Sequence, residues 1–483
     1  MPRTFRQVTR REQPALPVRD WEVDELRRWL SHARSHRAKS LRQLTQMAAT
    51  RGWRSSVLRH RVSVLLASPT LYWLSFYEAS RADSSITRRN QFIFDELMSL
   101  GERDQRLDPS APCREPFDLT LVGKSSGFRP IISEGPRMRA RRKMISALMA
   151  AMLRPQYFVC QGMQTGRSRK AMLNTIRARC TEPDGRYFAV ADVQSFFGSI
   201  PHDYLFDWLP FPEAVITHSV IHPFEKGEIT RVPIQKSGAD TKIGRASYKE
   251  VSEQGTRRGV PQGASSSPII AYALLEAAIR PLKLAGSIFQ WADDIVIFGR
   301  SLRDVEDRML QLRQVLREHR AGPLLLGKSQ IGESCGGFDF NGHRFAGGQG
   351  GVRTALTSQA RERFFDRIAE CIARDLRNQD TTFRHAILFL EGWREQTICD
   401  EVADLYGRAL MAIDDAADQL PDRGFGSPPP TPHPRGQLAF AAAHPPDIDF
   451  AATHLGPLIA EHVDKQSLRT ISPEQQGPSR RSD

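Results

Sequence analysis

Apolar residues recur at helical spacing through DWEVDELRRWLSHARS (20–35). They recur again through SLRQLTQMAATRGWRSSVLRHRVSVLLAS (40–68), which reads as two short helices around Arg51 and Gly52. From about 117 to 345 the pattern changes. Short apolar or alternating runs, DLTLV, RYFAVADV, FQWADDIVIF and FDFNGHRF, predict β-strands. Between them RMRARRKMISALMAAML and SPIIAYALLEAAIRPLKLA predict helices. Residues 355–420 return to a helical period, as in TSQARERFFDRIAECIARDL. Past Pro421 the run GFGSPPPTPHPRGQ and the polar end QQGPSRRSD read as a flexible tail. No internal repeat is visible. The organisation this predicts is a helical N-terminal extension over 1–110, a mixed α+β body over 111–345, a helical segment over 346–420 and a Pro-rich tail over 421–483.

Within the strand pattern, FQWADDIVIF (289–298) sets two adjacent carboxylates between apolar runs. The expected form is a hairpin with Asp293 and Asp294 at its turn. A surface hairpin is one reading. The other is a metal site, because ionised carboxylates near apolar strands need a compensating cation. A second acid at a strand end is Asp192, in YFAVADVQSFFGSIPHDYL. Only a fold can bring it to the hairpin.

Composition narrows the class. The 483 residues exceed one ordinary core, and 40% hydrophobic with 25% charged residues fits a globular protein. Lys and Arg outnumber Asp and Glu by 68 to 55, a net charge of +13 that suits a polyanionic partner. Six scattered cysteines without a C-x-x-C pair argue against a zinc site and a disulfide framework. No apolar run approaches the length of a membrane span, and the N-terminal residues lack the apolar core of a secretory signal. A cytoplasmic protein without membrane contact is expected.

DVQSFFGSIPH resembles the first catalytic motif of reverse transcriptases, GVPQGASSSPIIAYALLE their Pro-Gln-Gly box with the helix after it, and QWADD their Tyr-x-Asp-Asp box. In the family's order, GKSSGFRPI is similar to the fingers hairpin and GMQTGRS to the segment that follows. GPLLLGKSQIG and FDFNGHRF are similar to the lysine loop and the primer-grip hairpin. The likeness covers about 117–345.

This resemblance implies a right-hand polymerase fold of fingers, palm and thumb. Two Mg²⁺ ions, with Mn²⁺ as the alternative, would be held by Asp192, Asp293, Asp294 and the carbonyl of Val193. It further implies that Lys124 and Arg129 hold the incoming triphosphate, and that Phe197 blocks a 2′-hydroxyl and so selects deoxynucleotides. Gln262 and Gly263 would line the nucleotide and template base, with Lys328 beside the pyrophosphate. Trp291, standing where Tyr is usual, would lie near the primer end. The basic run Arg137, Arg139, Arg141, Arg142 and Lys143, together with Arg167 and the N-terminal helices, is expected to bind nucleic acid. The segment 210–258 is longer than a minimal connection and reads as an inserted β-hairpin.

Among reverse transcriptases the chain is most similar to bacterial members of the retron and group II intron superfamily. Gln262 differs from the Ile of diversity-generating enzymes, and the retron hallmarks Asn-Ala-x-x-His and Val-Thr-Gly are missing. No nuclease or maturase module follows the primer-grip region. The stand-alone, antiphage-defence group is favoured, with a dedicated noncoding RNA as template, DNA as product, and a companion defence protein or a second copy of the chain as further partners. Retron-type synthesis, protein-primed or template-independent synthesis, and an RNA-dependent RNA polymerase are the alternatives.

Overall fold

The computed structural model describes residues 23–80, 107–113, 115, 117–123, 128–153, 161–162, 168–221, 229–231, 258–284, 286–348, 351–378, 380 and 382–418. The chain divides into two compact units, Met1–Arg167 with Ala189–Ile331, and Ser168–Phe188 with Gly332–Asp483.

The first unit opens with one helix, Val23–Arg51, where two separate helical stretches were expected. Nothing between Ser31 and Ser40 breaks a helix, and the apolar stripe Trp29, Leu30, Ala33, Leu44 and Ala48 stays buried throughout. The expected break does come at Gly52, whose φ of +79° suits glycine. The helices Ser56–Leu66 and Pro69–Ser80 follow, the former capped by the Ser55 hydroxyl, which accepts from the Leu58 amide. Trp73, Leu74 and Phe76 close a core with Trp29 and Ala140.

Strands β1 (Phe117–Gly123) and β2 (Phe128–Glu134) form an antiparallel hairpin. The helix Pro136–Leu153 follows it. β3 (Gln161–Gly162), β4 (Tyr187–Val193), β6 (Ile288–Trp291), β7 (Asp294–Gly299) and β8 (Leu326–Glu333) make a five-stranded sheet in the order β3-β6-β7-β4-β8. Ile288, Phe289 and Ile295 to Phe298 are fully buried, as continuous apolar runs require when both faces are covered. The helices Ser267–Ile279 and Leu302–Glu318 belong to this unit too. Of the expected 210–258 insertion, the described part holds a helix at Glu213–Ser219 and the strand β5 (Ile229–Arg231), which pairs parallel with β1. The rest of it lies outside the described residues.

The second unit contains the helix Arg169–Arg179 and a small antiparallel sheet. Its strands are β9 (Phe338–Phe340), β10 (His343–Gly348) and β11 (Gly351–Leu356). Three helices follow, Ser358–Arg377, Arg384–Gln396 and Val402–Asp418, packed around Phe364, Phe365, Ile368, Leu390 and Leu405. The tail beyond 418 lies outside the described residues. No helix among the described residues is long and apolar enough to cross a membrane.

Candidate active site

The hairpin of β6 and β7 turns through two residues. Trp291 pairs with Asp294, leaving Ala292 and Asp293 at the tip. Ala292 takes φ +54°, the left-handed conformation that a two-residue hairpin turn demands of its first central residue. Asp294 therefore opens β7 and is not part of the turn proper. Beneath the tip, Gln290 is completely buried and its side-chain amide donates to the Ala292 carbonyl at 3.2 Å. A buried amide holding the turn from below was not expected from the sequence, although a lone Gln inside IFQW is a visible anomaly in an apolar strand.

Beside this turn runs the end of β4. The Val193 amide donates to the Asp293 carbonyl at 2.9 Å, and the Gln194 amide donates to the Leu325 carbonyl at 2.8 Å. Asp192 and Asp293, far apart in sequence, thus sit on backbone segments joined by a hydrogen bond. All three acids are half-buried. Gly327 on β8 approaches Asp192 so closely that a Cβ there would lie 2.7 and 2.9 Å from the two carboxylate oxygens. Sequence reading passed over Gly327; the signal was a glycine beginning a strand in LGKSQIG. Alternation along the strand aims the next side chain, the exposed Lys328, at the opposite face from the one Gly327 shares with Asp192.

After β4 the chain turns through Ser195 at φ +47° into the short helix Phe196–Ser199. Phe196 is 1% exposed and belongs to the core, whereas Phe197 is half-buried. The Phe197 carbonyl accepts from the Val260 amide at 2.8 Å, and the Ile200 carbonyl accepts from the Gly259 amide at 2.7 Å. His202, buried, holds the Gly259 carbonyl through its Nε2 at 2.9 Å. The segment around the first aspartate is thereby tied to the Pro-Gln-Gly stretch.

That stretch also meets β2. The Gln262 carbonyl accepts from the Ile132 amide at 2.8 Å. Gly263, at φ +103°, leaves no room for a Cβ, which would fall 2.5 Å from the Ile132 carbonyl oxygen. Its close approach in this structure is to strand backbone; the approach expected was to a nucleotide. Arg129, three residues earlier on β2, has a solvent-shielded Nε with no hydrogen-bond partner among the described residues. Trp291 is half-buried at the end of β6. Lys124 and Arg167 lie outside the described residues.

The basic run 137–143 requires a correction. Arg141 and Arg142 are 1% and 0% exposed. Arg142 pairs with Glu134 at 2.8 Å and donates to the Val220 and Ile221 carbonyls at 2.9 and 3.0 Å. Arg141 donates to the Ala111 carbonyl. Burial holds the Glu134 carboxyl above its ordinary pKa and the Arg142 guanidinium below its own. Arg137 faces Glu115 at 3.6 Å and Lys143 faces Glu78 at 3.5 Å. Arg141 and Arg142 brace the helix Pro136–Leu153 from inside and cannot reach a phosphate, because helical periodicity turns part of any charge run inward.

The described residues also hold a tight trio of possible metal ligands elsewhere, Asp375, Asp380 and His385 in the second unit. Asp375 is fully buried, with one oxygen on His385 Nδ1 and the other accepting from the Ala386 amide at 3.0 Å. Asp380 Oδ1 accepts from the Thr382 amide at 3.0 Å. This trio starts the helix Arg384–Gln396 and is separate from the three acids of the first unit.

Compared with known protein families, residues 122–344 match the family described as reverse transcriptase (RNA-dependent DNA polymerase). Comparison with curated proteins finds no match. The chain thus carries a reverse transcriptase domain, with the palm-like polymerase fold that this implies. It is an RNA-directed DNA polymerase, a nucleotidyltransferase whose domain takes an RNA template and deoxynucleotides and uses divalent metal ions.

Proposed function

We propose that DNA synthesis takes place at Asp192, Asp293 and Asp294, within fingers, palm and thumb, and that the chain is a bacterial enzyme of antiphage defence copying a companion noncoding RNA. The observation that carries the site is the bond between the Val193 amide and the Asp293 carbonyl, since it brings together the only two aspartate segments that the family resemblance assigns to the metals. The donors fit Mg²⁺: carboxylate and carbonyl oxygens are the hard ligands it takes, and the missing side chain of Gly327 leaves the Asp192 carboxylate clear. Bound there, the ions would activate the primer hydroxyl and neutralise the triphosphate. Asp192, Asp293, Asp294 and the Val193 carbonyl would hold them. Phe197 would exclude a 2′-hydroxyl by its bulk, and Arg129 would hold triphosphate oxygens. The defence reading rests on the sequence resemblance, in which Gln262 and the missing retron hallmarks favour that group.

The test is incorporation by the purified full chain, with the RNA that co-purifies from cells and Mg²⁺, of labelled deoxynucleotides against ribonucleotides, followed by sequencing of the product. DNA complementary to one co-purifying RNA is expected. Ribonucleotide polymer, or DNA unrelated to any bound RNA, overturns the reading.

A further inference from the structure

From Leu26 to Tyr77 the chain has no Asp or Glu, while nine Arg and one Lys fall in the same 52 residues. The chain's overall frequency of 55 acids in 483 residues would put about six there. The structure shows how these cations are disposed. On the helix Val23–Arg51, Trp29, Leu30, Ala33, Leu44 and Ala48 face the core, and Arg37 is clamped to Glu78 by two 2.8 Å bonds. At 3.6 residues per turn, Arg28, His32, Lys39 and Arg42 fall within an arc of about 80° on the opposite side. Arg28, Arg34, Lys39, Arg42 and Arg51, with Arg59 on the next helix, are exposed. Their side chains make no ion pair or hydrogen bond among the described residues. On this arc Arg28 and Arg42 stand about 21 Å apart along the helix axis.

We infer that this surface is a docking face for a nucleic-acid duplex, gripping its phosphates without reading bases. The inference rests on the polymerase reading and adds to it a surface outside the catalytic site. Three observations favour a duplex. The helix gives a rigid row of cations about 21 Å long, more than half a turn of duplex, with phosphates of both strands in reach. Among the described aromatic residues of this region none is exposed: Trp29, Trp73 and Phe76 are buried, Tyr72 and Tyr77 are half-buried, and Trp53 is half-buried with its ring edge-on to Trp208 at 5.1 Å, which leaves no open platform for unpaired bases. Only Val57 among the large apolar side chains described here is well exposed, at 54%. A helix lying in a membrane surface needs an outward apolar face, and this helix spends its own on the core.

Binding of a labelled RNA stem to the full chain, followed by anisotropy from 50 to 200 mM salt, tests the inference. Replacing Arg28, Lys39 and Arg42 with Gln should lower the slope of log K against log salt by about two to three units, alike on stems of unrelated sequence. The charge-keeping Arg28→Lys with Arg42→Lys should preserve the slope. An unchanged slope in the Gln variant, or a loss confined to one stem sequence, overturns the inference. So does a variant that loses binding to phosphatidylserine vesicles while its RNA binding is intact. Deoxynucleotide incorporation by the wild-type chain is measured in parallel: its absence would count against the polymerase reading and leave the slope result to be judged by itself.

Discussion

The backbone amide of Val193 and the carbonyl of Asp293 are hydrogen bonded over 2.9 Å, so the ends of β4 and of the β6–β7 turn are held edge to edge. The side chains flanking that bond are the acids on which polymerase chemistry would depend. Their placement is set by backbone, which makes it insensitive to the side chains themselves.

Replacing Asp293 and Asp294 together with Asn should therefore leave folding intact and abolish synthesis. Removing adjacent like charges relieves repulsion and opens no cavity. Incorporation is expected to fall by about 10³-fold or more, equivalent to several kcal/mol of lost stabilisation. Thermal melting measured beside the kinetics should show no loss. Wild-type rates in the double variant would remove these residues from the chemistry.

Gly327→Ala isolates the clearance around Asp192. A methyl group 2.7 Å from Oδ1 must displace the carboxylate, because real Cβ atoms do not approach so near. Synthesis should drop at least tenfold, with melting little changed since β8 is mostly exposed. A fully active Ala variant would show that Asp192 has freedom to move.

The two adjacent phenylalanines should separate by assay. Phe196→Ala empties a core position and should cost about 3–5 kcal/mol of stability. Phe197→Ala, at a half-buried position, should cost less and admit ribonucleotides. If the folded Phe197 variant still rejects ribonucleotides, the ring does not act as the sugar gate.

Arg142→Gln is expected to act on stability and not on nucleic-acid affinity. The change strands the buried Glu134 carboxylate without its partner, a loss of about 3–5 kcal/mol. Denaturant unfolding measures this directly. A stable variant with a reduced salt slope for RNA binding would restore the role first expected of this residue.

His343 gives the second unit a dependence on pH. Burial, assisted by Arg169, lowers its pKa from 6.5 to about 4. Its Nδ1 lies 3.1 Å from the Asn341 carbonyl, so the neutral ring carries its proton there. Between about pH 6.5 and 4 the unfolded chain binds the proton that the folded one refuses, so stability is full above that window and falls as pH drops through it. The loss should approach about 3 kcal/mol. His343→Asn should flatten this part of the melting profile, and an unchanged profile would assign the acid sensitivity to other groups.

Sequence by itself pointed to polymerase chemistry. Hydrophobic period separated the strands of the middle region from the helices around it, and the order of short motifs pointed to the three aspartates. Such signals are local: a strand end, a turn and a glycine each leave a mark within a few residues. Tertiary structure alone decided which charges face solvent. Arg141 and Arg142 resemble Arg28 and Arg42 in composition and in helical setting, yet the first pair is buried on carbonyls and Glu134 while the second is exposed. The difference comes from what packs against each helix face, namely Val220, Ile221 and Ala111 brought in from distant segments. The same holds for Gly327 and Gly263, whose missing side chains matter only because Asp192 and Ile132 approach them across the fold. A linear pattern records which residues a segment offers, and packing between segments determines which of them remain available.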